Sequence, residues 1–85
     1  MKLPVIKHVL EFVETHDEDW VVETIELLEH MTEFAAIKDE ELDVIGEMLS
    51  NLYGALEVHQ AMKNGLPQKE ALNQFMGRVL GSIDK

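Results

Sequence analysis

"DEELDVIGEMLSNLYGALEVHQAMKNG", residues 39–65, carries the pattern on which the fold turns. Asp39, Glu40 and Glu41 place negative charge where a helix begins, opposing the positive end of its dipole. Leu42, Ile45, Met48, Leu49, Leu52, Tyr53, Ala55, Leu56 and Met62 then recur at helical spacing and cover about half the circumference. Gly65 suits a left-handed C-terminal cap, so the spacing predicts one helix running to about Asn64. At 1.5 Å per residue that helix is about 39 Å long, enough to act as a spine for shorter neighbours. Inside it, Gly46, Ser50 and Gly54 place a small residue at every fourth position. Glycine in a helix interior costs about 1 kcal/mol relative to alanine, so the ridge needs a reason. Close approach of another backbone is one; softening a long helix so that it bends around a core is the other. The neighbour is a helix of the same chain or of a second copy.

Three further helices surround this spine in the sequence. Pro4 suits the first turn of a helix running to about His16, whose Val5, Ile6, Val9, Leu10, Phe12 and Val13 share one broad face. Asp17, Glu18 and Asp19 form a capping cluster for a second helix, about Asp19 to Phe34. Its apolar arc is Trp20, Val21, Ile25, Leu27, Leu28 and Met31, with Glu23, Glu26, Glu29, His30 and Glu33 opposite. Before the long helix, Lys38 takes the cap position, with Ile37 and Leu42 placed as a hydrophobic staple. Pro67 opens a fourth helix reaching about Ile83, with Ala71, Leu72, Phe75, Met76, Val79, Leu80 and Ile83 on its apolar face. Gly77 and Gly81 project away from that face. The expected fold is therefore all-α: a compact four-helix bundle with a long third helix, forming a single domain over residues 1–85.

Composition narrows the function classes. A domain of 85 residues buries only about 60% of the surface its unfolded chain exposes, which leaves a thin stability margin. There is no cysteine, which removes disulfides, thiolate zinc sites and thiol nucleophiles and fits a cytoplasmic location. No apolar run approaches the roughly 18 residues of a spanning helix, so no membrane partner is expected. The opening "MKLPVIKHVLEFVE" is interrupted by Glu11 and Glu14 and reads as structure rather than as an export signal. The net charge of −10 is uneven: residues 11–57 hold fifteen acids against Lys38 alone. That block repels phosphate backbones and anionic surfaces, which argues against nucleic acid. A solvated face accounts for it; the sharper alternative is an attractive surface for a basic protein partner.

No motif names a reaction. Glu-x-x-His, His-Glu-x-x-His, the calcium loop and Gly-x-Ser-x-Gly are all missing, so neither a catalytic residue nor a cofactor is expected. His59 falls within the apolar arc of the long helix near Lys63 and is a ligand candidate, although a packing histidine is the plainer account. His16 lies among acids and is a second candidate, with Asp17 and Asp19 as co-ligands for a cation. Trp20 and Tyr53 fall on apolar arcs, which usually means core; the functional alternative is an exposed aromatic at an interface.

The stretches "MKLPVIKH", "DEELDVIGEMLSNLYGALEV" and "NGLPQKEALNQFMGRVLGSIDK" resemble an uncharacterised family of short all-helical bacterial proteins, a domain of unknown function. The resemblance runs nearly end to end and implies bacterial origin. It also implies an association with thioredoxin-like and peroxide-reducing enzymes, which a chain without cysteine can only bind or regulate. The expected role is a small acidic helical protein-interaction module, self-associating as a homodimer. The alternatives are a small-ligand or metal-binding protein and a regulatory partner of such a redox enzyme.

Overall fold

A computed structural model describes residues 2–83 of the chain, with side chains over residues 2–79. Four helices follow one another: α1 (Leu3–Thr15), α2 (Glu18–Met31), α3 (Asp39–Lys63) and α4 (Gln68–Ile83). Among the described residues there is no strand, and α3 is the longest element. The fold is compact and all-α, as the hydrophobic periodicity predicts. The second helix ends at Met31 rather than Phe34; residues 32–38 form turns that lead into α3. Leu80, Gly81, Ser82 and Ile83 lie within α4, but their side chains fall outside those described.

Local chemistry sets the helix ends. The Asp17 side chain accepts the Asp19 backbone N–H at 3.3 Å and caps α2. Lys38 precedes α3, and its backbone N–H donates to the Glu41 carboxylate at 3.0 Å, half of a capping box. At the other end of α3, Gly65 takes φ +107°. Its N–H donates to the Met62 carbonyl, and the Leu66 N–H donates to the Ala61 carbonyl. These two bonds make a Schellman motif, and they satisfy carbonyls that the helix itself leaves open. Pro67 then stands where its missing N–H does no harm, its carbonyl accepting the Ala71 N–H at 2.9 Å.

Two hydrophobic clusters hold the helices together, and α1 and α3 contribute to both. Ile6 and Leu10 of α1 pack with Ala55 and Val58 of α3 and with Ala71, Leu72 and Phe75 of α4. Val13 of α1 packs with Val21 and Ile25 of α2 over Leu49, Leu52 and Leu56 of α3. Neither cluster joins α2 to α4. These two therefore flank the spine while α1 lies across it, giving a flattened body of 43 × 36 × 18 Å. Glu18 meets Lys63 at 3.0 Å and Glu29 meets Tyr53 at 2.5 Å, so α2 runs antiparallel to α3.

Gly54 resolves the question of the small ridge at one of its three positions. It is buried, and a Cβ there would stand 2.9 Å from Phe75 Cζ and 3.0 Å from Ile6 Cδ1. The missing side chain thus lets α1 and α4 close on α3 within one chain. Gly54 is a core contact, so a substitution such as Gly54→Leu attacks the fold itself and does not report on a dimer. A methyl group at Gly46 would meet nothing within 4 Å, so that glycine takes no part in packing. The Ser50 hydroxyl bonds back to the Glu47 carbonyl at 2.9 Å, within its own helix.

Among the described residues, one polar side chain is in the core. Asn51 is only 4% exposed, and its Oδ1 accepts the Lys2 backbone N–H at 2.7 Å. That bond fixes the start of α1 beside the middle of α3. Val44 and Met48 share a face with Asn51 and Ala55 by seven-residue spacing, yet they are exposed because α1 does not reach them.

Candidate functional site

Where α1 and α2 diverge over α3, they leave an open groove of about 540 Å³. Val9, Val21 and Leu52 form its apolar floor, one residue from each helix. Phe12 and Trp20 form its walls, 41% and 57% exposed. His8, Glu11, Thr15 and Thr24 complete the rim. A domain this small has every reason to bury large aromatics, because each represents up to about 250 Å² of apolar surface. Two of them nevertheless stand half open beside an apolar floor.

The aromatic wall is ordered by its own contacts. The His16 ring stacks on Phe12 at 4.0 Å between centroids and 7° between planes. Trp20 meets both rings edge-on, at 6.3 Å from Phe12 and 6.1 Å from His16. His16 Nδ1 lies 2.9 Å from Thr15 Oγ1 and 3.2 Å from the Phe12 carbonyl, which fixes the ring against its helix end. Thr24 donates to the Trp20 carbonyl at 2.7 Å, so the groove-side hydroxyl is turned onto its own backbone. Three rings in mutual contact form an aromatic ledge at the junction of α1 and α2.

The histidine candidates do not come together as a metal site. No three His, Asp or Glu side chains among the described residues are grouped to hold an ion, and His16 stacks on Phe12 rather than facing Asp17 and Asp19. His59 is half-buried on α3. Its Nε2 lies 3.8 Å from the Glu18 carboxylate, which also accepts from Lys63 Nζ at 3.0 Å. Its Nδ1 is buried with no hydrogen-bond partner. This cluster ties the beginning of α2 to the end of α3, with Lys63 on the same side as His59, as the helical spacing predicts.

Tyr53 stands outside the groove lining. Its hydroxyl donates to the Glu29 carboxylate at 2.5 Å across the α2–α3 seam. The bond to Glu29 pushes the phenol above its ordinary range; desolvation and the adjacent negative charge act in the same direction. Both aromatics placed on apolar arcs, Trp20 and Tyr53, are thus exposed rather than core. The same holds for Leu27, Met31 and Met48, because those arcs are wider than the neighbouring helices cover. Phe12 belongs to the site although its position on the broad face of the first helix points to the core; its place at the edge of that face is the one sequence signal for exposure.

The described residues thus form a small all-α protein with an aromatic ledge beside an apolar groove. A family-level comparison matches residues 1–84 to a family of unknown function (DUF6952), and the chain belongs to that family. No curated protein and no solved structure matches it.

Proposed function

We propose that this protein is a non-enzymatic protein-interaction module whose docking surface is the groove between α1 and α2. The observation that carries this reading is the pairing of half-exposed Phe12 and Trp20 above a floor of Val9, Val21 and Leu52. Binding energy at protein interfaces concentrates in such aromatic anchors beside desolvated apolar pockets. A photo-crosslinking residue at position 20, compared with one at exposed Glu14, tests it in cells. The expected result is a discrete covalent adduct at position 20 that position 14 does not give. Equal labelling at the two positions, or none at either, contradicts the reading.

Self-association is a second reading, favoured by a hollow of about 290 Å³ lined by Met31, Phe34, Ala36 and Ile37, with Glu41 at its side. Under it, light scattering shows a dimer at micromolar concentration that Phe34→Ser weakens; a monomer throughout that range contradicts it. A complex with a thioredoxin-like or peroxide-reducing enzyme fits the first reading, with this chain contributing binding alone because it has no cysteine.

A further inference from the structure

We propose that the occupant of the α1–α2 groove is an amphipathic helix of another protein, apolar on one face and flanked by lysine or arginine. This rests on the groove being the docking surface and names the chemistry of what enters it. Shape comes first. The lining runs over residues 8–15 of α1 and 20–24 of α2, about 10 Å along α1, so two turns of a third helix fit against it. Its anchors at i, i+3 or i+4 and i+7 would meet the ledge of Phe12 and Trp20 and the floor at Leu52.

Charge decides the rest. Residues 11–37 hold nine carboxylates and no lysine or arginine. Glu11 lines the groove on the α1 side. On α2, exposed Glu23 lies about 60° from Trp20 around the helix, while Asp19 and Glu26 are farther round, on the side away from Val21 and Thr24. Lys63 is paired with Glu18, while Lys7 and Lys69 line a separate hollow between α1 and α4. An occupant with acidic flanks would bring like charge against Glu11 and the carboxylates of α2. A second copy does not answer this description. It carries the same −10, and the apolar face of its basic-flanked α4 is spent on its own core at Ala71, Leu72 and Phe75.

The test uses three synthetic 14-residue peptides with the 85-residue chain at pH 7.5, read by anisotropy and by the emission of Trp20, the chain's one tryptophan. One peptide has leucines on a helical stripe and lysines on its flanks. The second replaces every lysine by glutamate. The third keeps the lysines but scrambles the leucines. The expected outcome is binding of the first with a blue shift of Trp20, at least tenfold weaker binding of the other two, and at least fivefold loss on Trp20→Ala. Adding Glu23→Lys lowers affinity severalfold while helicity by circular dichroism stays unchanged. If the glutamate peptide binds as tightly as the first, the basic partner is overturned and the groove stands as the docking surface. If the scrambled lysine peptide binds as tightly without moving Trp20, both fall. If none binds at millimolar concentration, the basic partner is overturned, and crosslinking at position 20 separately decides the groove.

Discussion

Gly46 and Gly54 lie eight residues apart on one helix, and alanine at the two sites should act with opposite sign. Alanine gains about 1 kcal/mol over glycine in a helix interior wherever its methyl group is tolerated. At Gly46 nothing lies within 4 Å of the new methyl, so the whole gain is realised. At Gly54 the methyl would sit 2.9 Å from Phe75 Cζ, 3.2 Å from Phe75 Cε2 and 3.0 Å from Ile6 Cδ1. Those atoms end flexible side chains, but Ile6 is 0% and Phe75 6% exposed, so neither has open space to retreat into. Overpacking a close-packed core costs about 1–3 kcal/mol, which exceeds the propensity gain at its centre. Gly46→Ala should therefore stabilise by about 1 kcal/mol and Gly54→Ala destabilise by about the same. In a chain this size each change corresponds to a melting shift of roughly 4–8 °C. Urea and thermal unfolding followed by circular dichroism read both, with equal m-values confirming that the unfolded states are comparable. If Gly54→Ala raises stability as much as Gly46→Ala, the close approach of α1 and α4 at that position is refuted.

Asn51→Ala should cost about 1–3 kcal/mol by stranding the Lys2 N–H at a partly buried position, with faster hydrogen exchange at Lys2; unchanged exchange contradicts the tether. Gly65→Ala should destabilise by about 1 kcal/mol because φ +107° strains any residue with a Cβ, and unfolding midpoints check it. Tyr53, the only tyrosine, should titrate above the ordinary phenol range because its hydroxyl donates a hydrogen bond to the Glu29 carboxylate. The neutral phenol is the form the fold favours. Its contribution is thus intact below about pH 10 and lost as pH rises through the raised folded value. Tyrosinate absorbance measures the midpoint, and Glu29→Gln should move it down; an identical midpoint in the two proteins refutes the bond.

What the sequence disclosed and what it hid divide along physical lines. Caps are local, so Asp17 before α2, the acids opening α3 and Gly65 closing it were legible from neighbours a few residues away. The length of α3 followed from unbroken periodicity between those signals. Burial is not local. Gly46 and Gly54 look alike in the chain, and only the crossing of α1 and α4 distinguishes them. Asn51 reads as a surface residue because its partner lies 49 positions away. The arc holding Trp20, Leu27 and Met31 is amphipathic enough to predict a helix, but its width exceeds what α1 and α3 cover. The groove was hidden for that reason: it arises from the divergence of two helices, each of which is ordinary on its own.

Amide chemical shifts of the 85-residue chain, titrated with the lysine-flanked amphipathic peptide, map where the groove is occupied. The account predicts the largest shifts at Val9, Phe12, Thr15, Trp20, Thr24 and Leu52, with α4 unmoved. Shifts centred on Gln68–Asn73, or spread evenly over the acidic surface, would contradict it.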